Sequence, residues 1–166
     1  MDVSTTESSA EQMQVYRLTK SKYAGDISGT GAAINPGRWN RKGSPVLYTG
    51  INPEIALLET IVHLPPMLSP VLDMLTLEIP DDSTLTLQDS DLPANWSDYP
   101  APTILSEIGQ RWIENGKQLA LQVPSCIIKT SSILVLNCQH PKYREVKIVE
   151  RTPFPLDPRL IKQTIR

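Results

Sequence analysis

Fifteen prolines lie between positions 36 and 158 of the 166 residues, and they limit that part of the chain to short elements of secondary structure. A proline removes a backbone donor and fixes φ, so it ends a helix or occupies a turn or a sheet edge. Most segments between the prolines are short apolar runs, and several of them alternate as strands do. The pattern predicts strands at 13–18, 46–50, 74–79, 84–88, 119–130, 133–137 and 144–150, and helices at 52–64 and 103–116. Because strands outnumber helices in an irregular order, we expect an α+β fold: a compact single domain with mixed or antiparallel sheets and few helices.

Composition places the chain among ordinary globular proteins. Hydrophobic residues make up 40% and charged residues 20%, which is typical of a domain with one core. We expect a single domain over 13–166, preceded by a disordered tail over the polar residues 1–12. That start lacks the apolar run of a signal peptide, and no run approaches the length of a membrane span, so we expect a cytoplasmic protein. A net charge of -2 disfavours direct nucleic-acid binding.

Several other polar residues favour structural interpretations. Cys126 and Cys138 are too few for a disulfide framework or a full metal-ligand set, so we expect buried free thiols and no metal. We expect His140 to be structural. Asp157 and Arg159 are expected to form a local ion pair that fixes the C-terminal segment.

Residues 22–45 contain five glycines and show no periodicity, which predicts a long loop. Loops of this length are uncommon in compact domains and are often functional. Within it, "GRWN" at 37–40 and the following residue supply two arginines, Arg38 and Arg41, whose planar guanidinium groups suit phosphate oxygens. The alternative is a flexible surface loop whose Trp39 fills the core, and the residues alone leave both interpretations open.

The predicted helix at 52–64 has clear start signals, because Asn52 can cap it and a proline follows in the first turn. Its apolar residues, Ile55, Leu57, Leu58, Ile61 and Val62, fill a broad arc at 100° per residue.

Glu59 lies at the edge of that arc, and His63 lies one turn further along the same side. A carboxylate at the rim of a buried face can line a cleft and serve chemistry. The alternative is a glutamate that points into water with His63 as its surface partner.

Taken together in this order, the motifs resemble the RES domain, the toxin of RES–Xre toxin–antitoxin pairs. The resemblance is carried by "VYRL" (15–18), "GRWN" (37–40), "PVLYTG" (45–50), "ALLETIVH" (56–63), "VPS" (123–125) and "PLDPR" (155–159). It covers nearly the whole chain. One departure is "LNCQHP" (136–141), where the family pattern has proline at the third position, and it lies away from the residues matched to the family's site.

The resemblance implies four catalytic residues, Arg38, Tyr48, Glu59 and Ser125. It also implies a substrate-binding set of Arg17, Arg38, Tyr48 and Ser125. The fold it implies is similar to that of ADP-ribosyltransferases. The activity it implies is depletion of NAD by cleavage of the nicotinamide–ribose bond, through phosphorolysis or hydrolysis, with NAD as substrate and no cofactor.

The same resemblance implies a cognate Xre-type antitoxin as partner and allows a homodimer within the toxin–antitoxin complex. From the net charge and the lack of a long apolar run we expect no direct nucleic-acid binding and no membrane partner. Two alternatives stay open at this point. The chain could transfer ADP-ribose to a protein target, or it could bind a nucleotide without turning it over.

The residue types fit the implied chemistry. Loss of nicotinamide builds positive charge on the ribose, and Glu59 can stabilise that charge and hold a ribose hydroxyl. Tyr48 can stack on the cationic nicotinamide ring. Arg38 and Arg17 can neutralise the pyrophosphate or an incoming phosphate, and Ser125 can bind the carboxamide or the ribose. We therefore expect the loop arginine, the strand tyrosine and the helix glutamate to meet at one end of a sheet.

Overall fold

The computed structural model describes residues 11–65 and 70–161, and those residues form seven strands and three α-helices. The strands are β1 (Gln12–Lys20), β2 (Val46–Gly50), β3 (Leu72–Pro80), β4 (Thr84–Thr86), β5 (Ala120–Pro124), β6 (Ser132–Asn137) and β7 (Lys147–Phe154). The helices are α1 (Thr30–Ile34), α2 (Pro53–Ile61) and α3 (Thr103–Asn115). No helix within 11–65 and 70–161 is long and apolar enough to cross a membrane.

All seven strands belong to one sheet, in the order β4-β5-β6-β2-β1-β3-β7. Neighbours are antiparallel except β4 and β5, which are parallel, so the sheet is mixed. β1 pairs with β3 along its whole length, from Gln12↔Pro80 to Lys20↔Leu72. β1 meets β2 at one residue pair, Tyr16↔Gly50. The sheet therefore consists of two well-paired halves joined at a single point, and the predicted α+β class is confirmed.

Strand alternation gives the sheet two apolar faces, each with its own core. The sheet-face cluster contains Val15, Leu47, Leu75, Leu77, Ile79, Leu134 and Leu136. The helix-face cluster contains Trp39, Ile55, Trp96, Leu105, Trp112, Val123 and Val135. Because successive side chains of a strand point to opposite faces, Leu47 joins the first cluster while Val46 joins the second. The second cluster is covered by α2, α3 and the GRWN segment.

Several predicted elements match closely. β2 has the predicted bounds, and α2 begins as expected: Asn52 Oδ1 accepts a hydrogen bond of 2.8 Å from the Ile55 amide, with Pro53 in the first turn. Gly116 ends α3 in the left-handed conformation, at φ 64. The apolar arc predicted on α2 is wider than its buried face, because Ile55 and Ala56 are the buried residues and Val62 is 57% exposed.

Other predicted boundaries were wrong. The segment 22–45 is not loop throughout, because it contains α1 and a 3₁₀ turn at Ser21–Tyr23. α1 has no side-chain cap from the described residues; instead, Asn40 Nδ2 donates to the Ala32 carbonyl at 2.8 Å, a contact that periodicity does not reveal. The predicted strand 119–130 ends at Pro124, where the chain turns. The last strand starts at Lys147 and runs on to Phe154 at the sheet edge.

The remaining expectations have mixed outcomes. β1 begins at Gln12, and residues 1–10 of the predicted tail lie outside the described residues. Both cysteines are free but partly buried, and burial raises the pKa of the Cys138 thiol to about 11. His140 caps the 3₁₀ turn at Pro141–Glu145 through Nδ1, which confirms its structural interpretation.

The predicted ion pair between Asp157 and Arg159 is also present, at 2.7 Å.

Gly109 sets how closely α3 can approach the GRWN segment. A Cβ added at Gly109 would lie 1.7 Å from the Trp39 carbonyl oxygen. Gly109→Ala should therefore destabilise the fold by about 3 kcal/mol, the cost of an overpacked core, even though alanine favours a helix. A thermal melt should show the loss as a Tm lowered by several degrees.

Gly31→Ala is the matched control. Gly31 also lies in a helix, but a Cβ there would meet nothing within 4 Å. The control should be neutral or stabilising by up to about 1 kcal/mol. Equal Tm values for the two variants would contradict the close contact between α3 and Trp39.

Candidate active site

Glu59 lies in the last turn of α2, and the position of this helix is fixed by a close approach to β2. A Cβ added at Gly50 would lie 2.7 Å from the Ala56 amide nitrogen, so the helix backbone rests directly on the end of the strand. Ile55 and Ala56 are buried in this contact. The side chain of Glu59 is half-buried at the rim of the helix, as the sequence predicted.

Ser125 holds the Glu59 carboxylate. It follows β5 directly, and its hydroxyl donates a hydrogen bond of 2.8 Å to Glu59 Oε1. The same hydroxyl oxygen accepts from the backbone amides of Ile127 at 3.1 Å and Ile128 at 3.2 Å. Ser125 is 0% exposed. The hydroxyl is therefore committed to protein partners on both sides, and its geometry is that of a group that orients the carboxylate.

Tyr48 holds the GRWN segment in shape. Its phenol oxygen donates to Asn40 Oδ1 at 2.7 Å and accepts from the Trp39 amide at 3.0 Å. Asn40 Oδ1 also accepts from the Gly37 amide at 2.8 Å. A Cβ at Gly37 would lie 2.8 Å from the phenol oxygen, so glycine is required for this packing. Burial raises the pKa of Tyr48 far above its usual range, while the charge of Arg38 opposes that shift, so the phenol is neutral at physiological pH.

Arg38 ties the GRWN segment to the loop that precedes α3. Its Nη1 donates to the carbonyl oxygens of Trp96 at 2.8 Å and Asp98 at 2.9 Å. The side chain is half-buried. Trp39, beside it, is 1% exposed and fills the helix-face cluster, as the flexible-loop alternative expected of that tryptophan. The segment itself is held by hydrogen bonds that involve Tyr48, Asn40 and Arg38, which that alternative did not include.

Arg17 lies on the other face of the sheet. It follows Val15 by two residues on β1 and so points toward the sheet-face cluster. Its Nη1 donates to the Tyr48 carbonyl at 2.9 Å, which spans the gap where β1 and β2 diverge. Burial lowers the pKa of the Arg17 guanidinium, and the nearby Tyr143, Cys138 and Asp26 oppose that shift.

The structure thus brings some of the sequence-predicted residues together and separates others. Glu59 and Ser125 are directly bonded. Tyr48 packs against the same helix-face cluster as Leu58 and Cys126, the neighbours of that bonded pair. Arg38 borders Tyr48 through the GRWN segment. The Arg17 guanidinium contacts this group through the Tyr48 carbonyl oxygen and not through the Tyr48 side chain.

Sequence reasoning missed Asn40 as a site residue. It is 2% exposed and bridges Tyr48, Gly37 and α1. Its position in "GRWN", next to a tryptophan, was the sequence signal that could have identified Asn40. The amides of Ile127 and Ile128 were also missed, because backbone donors leave no trace in a sequence.

With this geometry established, the chain can be compared with known proteins. A model of the RES domain matches residues 14–157. A protein named Toxin Res from Yersinia enterocolitica is 35% identical over 151 residues, which cover 89% of this chain and 99% of that protein. A protein named Prs ADP-ribosylating toxin from a Sphingobium species is 33% identical over 144 residues, covering 84% of this chain and 89% of that protein.

A solved structure shares the fold. The M. tuberculosis MbcT–MbcA toxin–antitoxin complex contains a chain that matches with a TM-score of 0.70 at 17% identity, covering 87% of this chain and 85% of that one. The family model and the relatives agree with the resemblance carried by the order of motifs in the sequence. The chain therefore belongs to the RES domain family.

Proposed function

We propose that this protein is the toxin of a toxin–antitoxin system and that it depletes NAD by breaking the nicotinamide–ribose bond. The observation that carries the proposal is the half-buried Glu59 carboxylate, held by the buried Ser125 hydroxyl. Family membership supports it, as does the relative named an ADP-ribosylating toxin, since ADP-ribosylation breaks the same bond.

The proposed reaction needs one negative charge at a fixed place. As the bond between C1 of the ribose and the ring nitrogen breaks, its electron pair leaves with nicotinamide, which departs as a neutral ring. Positive charge then develops on C1 and the ring oxygen of the ribose. A carboxylate fixed beside these atoms stabilises that charge without having to reorganise during the reaction. Glu59 is suited to this because Ser125 fixes one of its oxygens and leaves the other for the substrate.

The new bond forms between C1 and an acceptor oxygen. A phosphate oxygen gives ADP-ribose-1-phosphate, and water gives ADP-ribose with one proton released to solvent. Transfer to a protein side chain is the second candidate, favoured by the name of the Sphingobium relative. NAD serves in each case as substrate, and the proposal includes no cofactor.

The other residues have supporting roles in the proposal. Ser125 positions Glu59 and does not contact NAD, which revises the role first inferred for its hydroxyl. Tyr48 offers a ring face to nicotinamide while its hydroxyl keeps the GRWN segment in place. Arg38 supplies positive charge for the pyrophosphate. Arg17 acts through the Tyr48 backbone, so direct contact between Arg17 and NAD stays a prediction from the family motif.

An enzyme that destroys NAD must be restrained in the cell that makes it. The fold neighbour was solved as a toxin–antitoxin complex, which supports an antitoxin partner for this chain. We propose an Xre-type antitoxin that covers the site with an acidic or carboxylate-ended segment, attracted by Arg38. A cytoplasmic location follows from the proposed substrate and partner. A homodimer within the complex stays a prediction.

Glu59→Gln tests the proposed catalytic carboxylate. The change keeps the shape and removes the charge, so NAD cleavage should fall by about 100-fold or more, as when a transition-state partner is lost. Release of nicotinamide by the purified protein measures it. Glu54→Gln is the matched control, because Glu54 lies in the first turn of the same helix and is exposed. Near-normal turnover by a folded Glu59→Gln protein would refute the assignment.

Ser125→Ala tests positioning against substrate contact. The change removes the donor to Glu59, so kcat should fall about tenfold or more while KM changes little. It also leaves the Ile127 and Ile128 amides without their acceptor, so unfolding should become easier by about 1–3 kcal/mol. Ser131→Ala, in the same turn, should leave kcat unchanged. A raised KM at normal kcat would mean that Ser125 binds the substrate instead.

A further inference from the structure

The GRWN segment also borders a pocket on its solvent side. The pocket has a volume of about 360 Å³ and is lined by residues of 36–42 and of 101–106. It therefore lies between the segment that Tyr48 holds in place and the beginning of α3. Neither Glu59 nor Ser125 belongs to its lining, so the pocket is separate from that bonded pair, but it shares Arg38 with the proposed NAD site.

Three cationic side chains line this pocket: Arg38, Arg41 and Lys42. Among the described residues, Glu107 is the carboxylate paired with this cluster, at 3.8 Å from Arg41 Nη2, and the two side chains are 40% and 51% exposed. Asp98 contributes its backbone carbonyl, not its carboxylate, to Arg38. The chain as a whole carries a net charge of -2, so this positive cluster is a local feature. A weak solvated pair with Glu107 does not neutralise three cations.

The opposite wall of the pocket adds hydrogen-bond donors, which carry partial positive charge. Pro102 is the N-cap of α3, and the first turn, which begins at Thr103, has no acidic residue and no side-chain cap from the described part of the chain. The first amides of a helix lack intrahelical acceptors and carry partial positive charge. The Thr103 hydroxyl lies on this wall as well, whereas the Ser106 hydroxyl donates to the Thr103 carbonyl at 2.9 Å. These groups support the cationic cluster across the pocket.

We propose that this pocket is a binding site for a phosphate group, with Arg41 and Lys42 as its main ligands. Arg38 already donates to two carbonyl oxygens through Nη1, so fewer of its N–H groups remain for a ligand. Arg41 and Lys42 are exposed, and both can turn toward an anion at the mouth of the pocket. An arginine fork matches two phosphate oxygens, and a lysine adds a compact charge. The pocket is larger than one phosphate ion, which leaves room for the nucleoside of a nucleotide.

Direct binding measurements test this site without any turnover, so the result does not depend on the proposed NAD cleavage. Inorganic phosphate, ADP and adenosine are each titrated into the wild-type protein by calorimetry at fixed ionic strength. Phosphate and ADP should bind, and adenosine should not. The double variant Arg41→Ala/Lys42→Ala should weaken both by at least about tenfold, the usual effect of losing a charged hydrogen bond.

The matched control is Arg144→Ala/Lys147→Ala, which removes the same two charges from exposed positions outside the pocket. It should bind phosphate as the wild type does. The affinity that the Arg41→Ala/Lys42→Ala protein loses is then compared between the two ligands. A larger loss for ADP than for phosphate would identify a nucleotide as the source of the phosphate group, and an equal loss would identify the free ion.

If Arg144→Ala/Lys147→Ala weakened phosphate binding as much as Arg41→Ala/Lys42→Ala does, the proposal would be overturned, because the effect would come from the overall charge. Binding of an acidic peptide with no binding of phosphate would overturn it too. A second variant, Thr103→Asp, places a carboxylate in the first turn of α3, where it should raise Tm and compete with phosphate. Unchanged phosphate affinity in a folded Thr103→Asp protein would contradict the site.

Discussion

β1 and β2 touch at one residue pair, Tyr16 and Gly50, and the rest of the architecture is arranged around this contact. Beyond it the two strands diverge, which leaves the Tyr48 carbonyl without a strand partner on that side; Arg17 supplies the donor. Gly50 also lets α2 rest on the strand, since a Cβ there would strike the Ala56 amide. The direction of α2 then decides where Glu59 lies relative to the end of β5. A single glycine thus links the division of the sheet to the position of the carboxylate.

The candidate site is preorganised by buried polar groups. The Ser125 hydroxyl accepts hydrogen bonds from two backbone amides and donates one to Glu59. The carboxylate therefore has a fixed orientation before any ligand arrives. Tyr48 and Asn40 do the same for the GRWN segment. Fixed charges and dipoles are what an enzyme needs where positive charge develops in a transition state, because they cost no reorganisation at that moment. This is the physical reason to prefer catalysis over simple nucleotide binding for this arrangement.

Local sequence signals correctly predicted the element boundaries that are set by residues adjacent in the chain. The bounds of β2 and the Asn52 cap of α2 are of this kind, and so is Gly116 at the end of α3. The resemblance placed Glu59 and Ser125 in one catalytic set, but the hydrogen bond between these residues, 66 positions apart, was not predicted. The face on which Arg17 lies could not be predicted, since it depends on strand register.

Contacts between distant segments explain the remaining differences. The burial of Ser125 follows from the turn after β5 and its packing under α2. α1 was missed because Asn40, six residues beyond its end, satisfies its backbone. The approach of Gly109 to Trp39 joins segments 70 residues apart. None of these contacts has a signal within the window over which helical or strand periodicity is read.

Product analysis with intact NAD tests the central claim most directly. The purified wild-type protein is incubated with NAD in phosphate buffer and in a phosphate-free buffer, and the products are separated and weighed by mass spectrometry. We expect one free nicotinamide for each NAD consumed, with ADP-ribose-1-phosphate or ADP-ribose as the second product. Unchanged NAD, or cleavage at the pyrophosphate that leaves nicotinamide attached to its ribose, would contradict it.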